Sequence, residues 1–225
     1  MVDERLVTCL CVTRNRVGML RRAVSCFLTQ SYPNRELLVV YEADDPATRD
    51  YLSALNQPAI RSVEVGVSPK LSLGALRNIS IQSSRGHFVA QWDDDDWYGP
   101  TRLADQIDAI RQSGLQGCVL SRWLMYDMLT ATAYISGTRA WEGSIVAERS
   151  VIPLFPPLSK GEDTVVITQM IAEGKLVALN RPQLYIYIVH GENTWDRTHW
   201  ERNLRNYAQL LTQVDCDRIK SLLTA

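Results

Sequence analysis

Four consecutive aspartates, Asp93–Asp96, follow the apolar run "GHFVAQW". Adjacent carboxylates repel one another, and each is costly to desolvate unless a positive charge lies among them. Mg²⁺ and Mn²⁺ prefer oxygen ligands, and Mg²⁺ commonly takes one or two carboxylates together with substrate phosphates. Because side chains alternate along a strand, Asp93 and Asp95 can face the same way. The run therefore predicts a divalent-metal site; the alternative is a solvated acidic turn before the helix that follows Pro100.

An acidic pair, Glu162–Asp163, precedes the helix-like run "TVVITQMIAEGK". A carboxylate at the N-terminus of a helix often caps it and contributes about 1 kcal/mol. It can also act as a general base, since transfer of a group to a hydroxyl requires a carboxylate that accepts the hydroxyl proton. The sequence is compatible with both roles, and one acid can cap the helix while the other faces a site.

Four further side chains are candidates with two interpretations each. His190, after "LYIYIV", is either structural or a contact to a metal or a diphosphate, because imidazole also binds Mn²⁺. Arg77, in "SLGALRNIS", either balances the carboxylates and holds a phosphate or lies on a solvated helix face. Trp141 and Trp195 either stack on a sugar ring or aromatic acceptor, or pack in the core.

The elements that carry these residues alternate in the first hundred positions. "RLVTCLCVT" and "ELLVVYE" are continuous apolar runs, typical of strands buried on both faces, and helix-like segments separate them from "IRSVEVG" and "GHFVAQW". This βαβαβαβ order predicts a mostly parallel sheet with helices on both faces. Ligands of such sheets bind beyond the carboxyl ends of the strands. The polar groups at those ends are Thr13–Arg14–Asn15, then Glu42, Asp44 and Asp45, and finally Asp93–Asp96.

The pattern changes after about residue 115. "CVLSRWLMYDMLTATAYIS" is long, apolar and favours strands, and "LVALNRPQLYIYIVHGENTW" gives two short strands separated by Pro182. The tail segments "HWERNLRNYAQLLTQV" and "DCDRIKSLLT" predict helices. Since the chain contains no repeat, low-complexity segment or linker, we expect one domain over residues 1–225.

The composition argues against several classes of protein. The 225 residues carry a net charge of −1 and are 46% hydrophobic, which is ordinary for a globular domain and does not favour nucleic-acid binding. No apolar run approaches the roughly 20 residues of a transmembrane helix, and the acidic start "MVDER" is not typical of a signal peptide. Five cysteines, an odd number, include Cys9 and Cys11 in an apolar run. We therefore expect small buried cysteines and a reducing, cytoplasmic setting.

Taken in order, these motifs resemble family 2 glycosyltransferases with the GT-A fold. The similar segments are "VTRNRVGMLRRAVSCFLTQSYPNRELLVV", "GALRNISIQSSRGHFVAQWDDDDWYGPTRL", "GED" and "LYIYIVHGENTW", and they span nearly the whole chain. The resemblance implies a Rossmann-like α/β sheet and an inverting hexosyltransferase that uses a UDP-, GDP- or dTDP-linked sugar with Mn²⁺ or Mg²⁺. It also implies that residues 1–100 bind the nucleotide sugar and that residues 101–225 bind the acceptor, which would be a glycan, a glycolipid or a small molecule.

The same resemblance implies a role for each candidate residue. Asp95 would be the metal-binding member of a DxD motif whose register stays open by one residue, with Asp96 left to a structural role. Asp163 would deprotonate the acceptor hydroxyl, with Glu162 beside it. The expected donor contacts are Thr13, Arg14, Asn15, Glu42, Asp44, Arg77, Asp93 and Asp94. The expected metal-site residues are Asp95, Asp93 and His190, and the expected acceptor contacts are Trp141 and Trp195.

The sequence departs from the family at the second strand, where "VYEADDPAT" replaces the usual "V-D-D-G-S". Which of Glu42, Asp44 and Asp45 contacts the nucleotide base therefore stays open. A nucleotidyltransferase would also need carboxylates and a metal, but "VTRNRVGMLRR" has only one glycine for its phosphate-binding loop. A non-catalytic nucleotide-sugar-binding module is the other alternative, against which the Glu162–Asp163 pair argues. The sequence is also compatible with a homodimer paired through the C-terminal helices and with a peripheral position at the inner face of a membrane.

Overall fold

Two β-sheets and their flanking helices make up residues 5–224, the part of the chain that the computed structural model describes. The acidic start at residues 1–4, used above against a signal peptide, lies outside the described residues. The strands are β1 (Val7–Thr13), β2 (Arg35–Glu42), β3 (Ile60–Val65), β4 (Phe88–Gln91), β5 (Trp97–Tyr98), β6 (Gly117–Leu120), β7 (Leu124–Asp127), β8 (Thr132–Ile135), β9 (Trp141–Glu148), β10 (Leu176–Leu179), β11 (Tyr185–Val189) and β12 (Gln209–Leu210). The α-helices are α1 (Val17–Leu28), α2 (Pro46–Leu55), α3 (Leu73–Ser83), α4 (Arg102–Ser113), α5 (Glu162–Ala172), α6 (Arg197–His199) and α7 (Gln213–Thr224).

The larger sheet has the strand order β10-β6-β9-β4-β1-β2-β3. Its pairs are parallel except those of β9, which runs antiparallel between β4 and β6. Alternate residues of β1 point to opposite faces: Cys9 packs in one core cluster with Leu20 and Phe27 of α1, whereas Leu10 packs in another with Ile81 of α3. The predicted mostly parallel sheet with helices on both faces is confirmed, with β9 as the antiparallel exception.

A second sheet, in the order β12-β8-β7-β11-β5, was not predicted as a separate unit. Its edge strand β5 begins at Trp97, directly after the aspartate run, and pairs antiparallel with β11 through Tyr98 and Tyr185. The aspartate run thus lies between β4 of the first sheet, which ends at Gln91, and β5 of the second sheet, which begins at Trp97. This connection fixes the aspartates from both sides.

The prediction that the tail "HWERNLRNYAQLLTQV" is helical is correct up to Tyr207 and wrong for the residues that follow. The segment forms α6, a single π-helical turn at Trp200–Leu204 and a 3₁₀ turn at Arg205–Tyr207, and then β12. The backbone of β12 pairs antiparallel with β8, so tertiary pairing overrides the local helix propensity of its leucine-rich sequence. The following helix, α7, is as predicted.

The cysteines and the helices agree with two further expectations. All five cysteines are free thiols and buried, as predicted for small apolar side chains. Burial raises the pKa of Cys9 to about 12, so this thiol stays protonated and unreactive. Between residues 5 and 224, no helix has both the length and the hydropathy needed to cross a membrane.

Candidate active site

A cavity of about 690 Å³ lies beyond the carboxyl ends of β1, β2 and β4. Its opposite wall is formed by the start of β9, the N-terminus of α5 and the irregular segment at positions 193–204. The position is the one that an open α/β sheet offers to ligands. All four aspartates line the cavity, together with Thr13, Arg14, Glu42, Arg77, Trp141, Glu162, Asp163 and Trp195.

Asp96 has a structural role. Its Oδ1 accepts a hydrogen bond of 2.9 Å from the backbone N–H of Ile188, and its Oδ2 accepts one from the Tyr185 hydroxyl. The side chain is only 2% exposed, and this burial, followed by repulsion from Asp95 and Asp93, raises its pKa well above the ordinary value. Asp96 therefore joins the aspartate run to β11.

Asp94 is held by Thr13 and Arg16. The Thr13 hydroxyl donates a hydrogen bond of 2.6 Å to Oδ2, and Arg16 Nη2 lies 2.9 Å from Oδ1. Burial and the neighbouring charge of Asp95 raise the pKa of Asp94 to about 7, against the opposing effect of Arg16. Thr13 and Asp94, two predicted donor contacts, are thus adjacent. Arg16 was missed, although it lies in the same "TRNR" stretch.

Asp95 lies between Arg16 and His190. Its Oδ2 is 3.0 Å from Arg16 Nη1 and 3.1 Å from His190 Nε2. The backbone N–H of Glu192 points to His190 Nδ1 at 3.2 Å, and Asn193 Nδ2 lies 3.1 Å from Nε2, the nitrogen that contacts Asp95. Burial raises the pKa of Asp95, but the His190 hydrogen bond and the Arg16 charge outweigh it and hold that pKa below its usual value. Asp95 is therefore a carboxylate.

The two members of the expected metal pair, Asp93 and Asp95, contact different cationic side chains. Asp93 Oδ1 accepts a hydrogen bond of 3.1 Å from Arg77 Nη2, and Asp93 remains about a quarter exposed to the cavity. Residues 5–224 contain no cluster of three or more His, Cys, Asp or Glu side chains that could hold a metal. The oxygen donors still fit a hard cation that brings phosphate ligands with it, since such a cation needs only one or two carboxylates. His190 is 5% exposed and is not among the residues that line the cavity, so it contacts Asp95 instead.

The three acids at the end of β2 and just after it, Glu42, Asp44 and Asp45, have different surroundings. Glu42 is 1% exposed and lines the cavity, and its Oε2 is 2.9 Å from Arg14 Nε and also contacts Lys70. Within the described residues, Glu42 Oε1 is buried without a hydrogen-bond partner. Asp44 is 43% exposed and pairs with Arg14 at 3.2 Å. Glu42 is therefore the acid that faces the cavity.

Asp45 caps α2 and fixes the chain after β1. It accepts a hydrogen bond of 3.0 Å from the backbone N–H of Thr48 and one of 2.6 Å from the backbone N–H of Asn15. Asn15 has a positive φ of 53°, and neither it nor Asp44 lines the cavity. Asn15 and Asp44 are therefore the predicted donor contacts that the structure does not bring to the cavity.

Arg77 connects the aspartate run to the acidic pair of α5. Its Nε donates a hydrogen bond of 2.8 Å to Glu162 Oε1, and its Nη2 donates to Asp93. Arg77 is 7% exposed and Glu162 is 2% exposed. Burial alone would lower the pKa of Arg77, but the charges of Asp93 and Glu162 raise it further above its ordinary value. The guanidinium is therefore a permanent buried cation between two carboxylates.

Asp163 faces the cavity beside this ion pair. Gly161, in the left-handed conformation with φ 71°, precedes α5 and supplies no side-chain cap, while Asp163 Oδ1 accepts the N–H of the adjacent Thr164. Burial raises the pKa of Asp163 to about 6; Arg77 opposes this, and Glu162 and Glu142 add to it. A carboxylate with a pKa near the physiological range is suited to accept a proton.

Aromatic side chains cover the wall of the cavity near α5. Trp141 is 4% exposed and stacks on Trp123 with ring centroids 4.4 Å apart, and Trp123 stacks on Tyr187 at 5.4 Å. Trp195, in contrast, is 44% exposed and stacks on His199 at 4.3 Å. Trp141 therefore packs in the core and only part of its side chain lines the cavity. Trp195 is exposed to the cavity, as a residue that stacks on a sugar would be. Trp123 and Tyr187 were not predicted.

A buried cation, Arg102, lies under the aspartate run. It is 0% exposed and its Cζ is 4.7–5.2 Å from the ring centroids of Trp92, Tyr98 and Tyr185. The hydroxyl of Tyr98 donates a hydrogen bond of 2.9 Å to the carbonyl oxygen of Asp93. Cation–π contacts of desolvated guanidinium groups contribute about 2 kcal/mol. Arg102 therefore places positive charge below the acidic run without blocking the cavity.

Residues 8–205, which include this site, match a known protein family. The sequence model described as "Glycosyl transferase family 2" matches residues 8–205. The chain belongs to glycosyl transferase family 2. This match supports neither the nucleotidyltransferase nor the non-catalytic module.

Two curated relatives of this family member are polysaccharide biosynthesis proteins by name. One, the "Putative colanic acid biosynthesis glycosyl transferase WcaA" of Escherichia coli K12, is 26% identical over 161 residues, which is 69% of this chain and 50% of WcaA. The other, the "Succinoglycan biosynthesis protein ExoO" of Rhizobium meliloti, is 28% identical over 110 residues, 49% of this chain and 31% of ExoO. The chain thus spans half or less of the length of these relatives.

Solved structures with the same fold bear out the predicted GT-A architecture. S. aureus TarS 1-349 in complex with UDP-GlcNAc aligns with a TM-score of 0.68 at 15% identity, over 84% of this chain and 60% of that chain. The mannosyltransferase PcManGT from Pyrobaculum calidifontis, in complex with GDP-Man and Mn²⁺, aligns with a TM-score of 0.61 at 14% identity, over 84% and 57% of the two chains. The chain therefore has the GT-A fold.

Proposed function

We propose that this glycosyltransferase moves a sugar from a nucleotide-diphosphate donor to an acceptor hydroxyl with inversion at the anomeric carbon, and that Asp163 is the general base. The observation that carries the proposal is the position of Asp163 on the cavity wall, with its pKa raised to about 6 and with Arg77 joining its neighbour Glu162 to Asp93. The donor-binding run and the base thus share one ion-pair network.

The donor would lie along the carboxyl ends of β1, β2 and β4. Thr13, Arg14 and Glu42 would surround the nucleotide base, and the Glu42 carboxylate would accept from a base N–H such as uracil N3–H or guanine N1–H. Asp93 and Asp94 would lie beside the ribose and the diphosphate. The donors named for TarS and PcManGT, UDP-GlcNAc and GDP-Man, support a nucleotide-diphosphate sugar without deciding between uracil and guanine.

Inversion follows from one displacement. Asp163 takes the proton of the acceptor hydroxyl, the oxygen attacks the anomeric carbon, and the bond to the nucleoside diphosphate breaks on the opposite face. No enzyme nucleophile is required, so a single ionised carboxylate near the acceptor is sufficient. Arg77 holds Glu162 in place through the 2.8 Å hydrogen bond, which positions the first turn of α5 and with it Asp163.

A divalent metal fits the donor side of the cavity. Asp95 and Asp93 are the residues that would hold Mn²⁺ or Mg²⁺, and the ion would offset the negative charge of the departing diphosphate. Binding at Asp95 would compete with the contact to Arg16, while His190 would orient the carboxylate from the other side. The Mn²⁺ named for PcManGT supports this assignment.

The acceptor would be a glycan under construction, free or carried on a lipid. The names of WcaA and ExoO, which refer to colanic acid and succinoglycan biosynthesis, support this class. Trp195 and the cavity-facing part of Trp141 would contact the acceptor sugar, because aromatic rings bind the apolar faces of sugar rings.

Thermal shift and product release test the proposal together. The protein is incubated with UDP-, GDP- and dTDP-linked sugars, with and without Mn²⁺, and release of nucleoside diphosphate is measured in the same samples. We expect stabilisation by at least one donor and metal-dependent release. Asp163→Asn should retain the stabilisation and lose the release, whereas Asp108→Asn, a 60% exposed carboxylate on α4, should retain both. Absence of stabilisation by every donor, or full activity of Asp163→Asn, would refute the proposal.

A further inference from the structure

One arginine, Arg16, holds two neighbouring carboxylates of the aspartate run. Its Nη2 lies 2.9 Å from Asp94 Oδ1, and its Nη1 lies 3.0 Å from Asp95 Oδ2. These two nitrogens are the ends of one planar fork, so a single guanidinium bridges both acids. Burial alone would lower the pKa of Arg16, but the charges of Asp94, Asp95 and Asp93 raise it above its ordinary value. The bridge is therefore a permanent cation.

The backbone of Arg16 is fixed, whereas its side chain reaches the cavity. Its carbonyl oxygen accepts hydrogen bonds from the backbone N–H groups of Met19 and Leu20 in the first turn of α1. The preceding residue, Asn15, is held by Asp45 through its own N–H. The Arg16 side chain, in contrast, is 25% exposed and lines the cavity. Arg16 can therefore change its partner by rotation of the side chain while α1 stays in place.

The other contacts of the two carboxylates come from more deeply buried groups. The Thr13 hydroxyl, 3% exposed, donates a hydrogen bond to Asp94, and His190, 5% exposed, contacts Asp95. These two contacts hold the acids from the protein side. Arg16 brings its charge to them from the cavity side, which is also the side from which a ligand arrives.

A divalent cation at Asp95 would displace this guanidinium. Arg16 contacts Oδ2 of the carboxylate at 3.0 Å, and two positive charges that share one partly buried carboxylate repel each other strongly. Mg²⁺ takes about six ligands, of which carboxylates commonly supply one or two and substrate phosphates supply others. The diphosphate that completes the coordination of the cation is also a strong acceptor for a displaced guanidinium.

Each lysine or arginine that lines the cavity, within residues 5–224, is paired with a carboxylate. Besides the Arg16 bridge, the pairs are Arg14 and Lys70 with Glu42, Arg77 with Asp93 and Glu162, and Arg139 with Glu142. A cation that binds Asp95 competes directly with only one of these pairings, that of Arg16. It would therefore release one guanidinium beside the acids where the proposed function puts the diphosphate.

We propose that Arg16 competes with the divalent cation for the Asp95 carboxylate and that, once displaced, it binds the diphosphate of the donor. The inference rests on the proposed function, which supplies the cation and the diphosphate, and it adds the residue that links their binding. Asp94, which loses Arg16 in the same step, keeps the Thr13 hydroxyl as its partner. Cation and nucleoside diphosphate then bind with positive coupling, and part of that coupling passes through Arg16.

Calorimetric titration with Mn²⁺, with and without saturating UDP or GDP, tests the proposal. We expect the nucleotide to increase the Mn²⁺ affinity of the native protein. In Arg16→Met, Mn²⁺ alone should bind about five- to tenfold more tightly, as for the loss of two partly exposed competing ion pairs. Its affinity in the presence of the nucleotide should stay within about twofold, because the displaced arginine no longer opposes the cation there. The coupling should therefore fall about five- to tenfold.

Two further variants separate competition from a general loss of positive charge. Arg22 donates a hydrogen bond of 2.6 Å to the backbone carbonyl of Asp95 and does not compete for the carboxylate. Arg22→Met should therefore change the Mn²⁺ affinity by the same factor with and without nucleotide. Arg16→Lys keeps the charge, but one ammonium cannot fork across two carboxylates. Its coupling should lie between those of the native protein and Arg16→Met, and it carries the test if Arg16→Met does not fold.

Three results would overturn the proposal. These are a native Mn²⁺ affinity in the nucleotide-free Arg16→Met variant, native coupling in both Arg16 variants, and an equal loss of coupling in Arg22→Met. Donor stabilisation and nucleoside diphosphate release, measured on the same preparations, separate this inference from the proposed function. Metal-dependent release by a native protein whose coupling survives in Arg16→Met refutes only the role of Arg16, whereas failure of every donor to bind refutes the proposed function.

Discussion

Replacing Arg77 by methionine removes the guanidinium that pairs with both Asp93 and Glu162. In the native protein Arg77 Nε is 2.8 Å from Glu162 Oε1, and both side chains are more than nine-tenths buried. Methionine keeps much of the volume but leaves the Glu162 carboxylate buried without its counter-charge. Breaking a buried ion pair by removal of one partner costs about 3–5 kcal/mol.

The size of this effect is measurable. For a chain of this length, 1 kcal/mol corresponds to about 2–4 °C in melting temperature, so Arg77→Met should melt about 6–20 °C lower than the native protein. The double variant Arg77→Met/Glu162→Gln should recover most of the loss, because the buried side chain at position 162 is then neutral, while Asp93, which also loses Arg77, is 26% exposed and stays solvated. Arg111→Met, a surface ion-pair partner on α4, should change stability by less than about 1 kcal/mol.

Urea denaturation and thermal unfolding at pH 7.5 provide the measurement. The native protein, Arg77→Met, Glu162→Gln, the double variant and Arg111→Met are compared at equal concentration, and the coupling between positions 77 and 162 is taken from the double-mutant cycle of the first four. A loss below about 1 kcal/mol in Arg77→Met, or a double variant that is no more stable than the single one, would show that the Arg77–Glu162 pair does not hold α5 against the aspartate run.

Further predictions concern the carboxylates. The rate of transfer should fall about tenfold per pH unit below about pH 6, since Asp163 must be ionised, and a pH-independent rate between 5 and 7 would contradict this. The folded-state pKa of Asp163 lies above its unfolded value of 3.8, so the folded state binds the extra proton and its stability decreases as the pH rises from about 4 to 6. Asp163→Asn should therefore be about 1–2 kcal/mol more stable than the native protein at pH 8 and equal to it at pH 4, as measured by urea denaturation; a variant that is less stable at pH 8 would refute this. Glu42→Gln should weaken the nucleoside diphosphate at least about tenfold by calorimetry, and unchanged affinity would remove Glu42 from the base site. Asp96→Asn should lower the melting temperature, because an amide in place of the carboxylate cannot accept with both oxygens from Tyr185 and Ile188, and it should leave the donor Kd of the folded protein within about twofold.

The sequence predicts the first half of this fold better than the second half. The continuous apolar runs of β1 and β2 are buried on both faces, so their type and the polar residues at their ends follow from local pattern alone. The insertion of β9 between β4 and β6 is not readable in the same way, because it depends on pairing between segments more than fifty residues apart. The short β12 is a similar case, since two residues carry no periodicity.

Some residues of the site can likewise be predicted from local sequence pattern, and others only from long-range contacts. The aspartate run, Glu42 and the pair at the start of α5 are conspicuous in the sequence because buried strands and a helix start position them. The role of Arg16 follows only from the three-dimensional structure, since it depends on contacts with Asp94 and Asp95 across 79 residues of chain. The distinction between Trp141 and Trp195 likewise depends on burial, which the residue type does not decide.

The hydrogen bond from Ile188 to Asp96 has a consequence for the order in which the protein is made. The two residues are 92 positions apart, and β9, which completes the sheet beside β4, also follows the aspartate run by about fifty residues. A ribosome that has released the first hundred residues has made most of the proposed donor contacts but neither Tyr185 nor Ile188, which hold Asp96. We expect nascent chains that end before β11 to lack nucleotide-sugar affinity, so that donor binding begins only after β11 has left the ribosome.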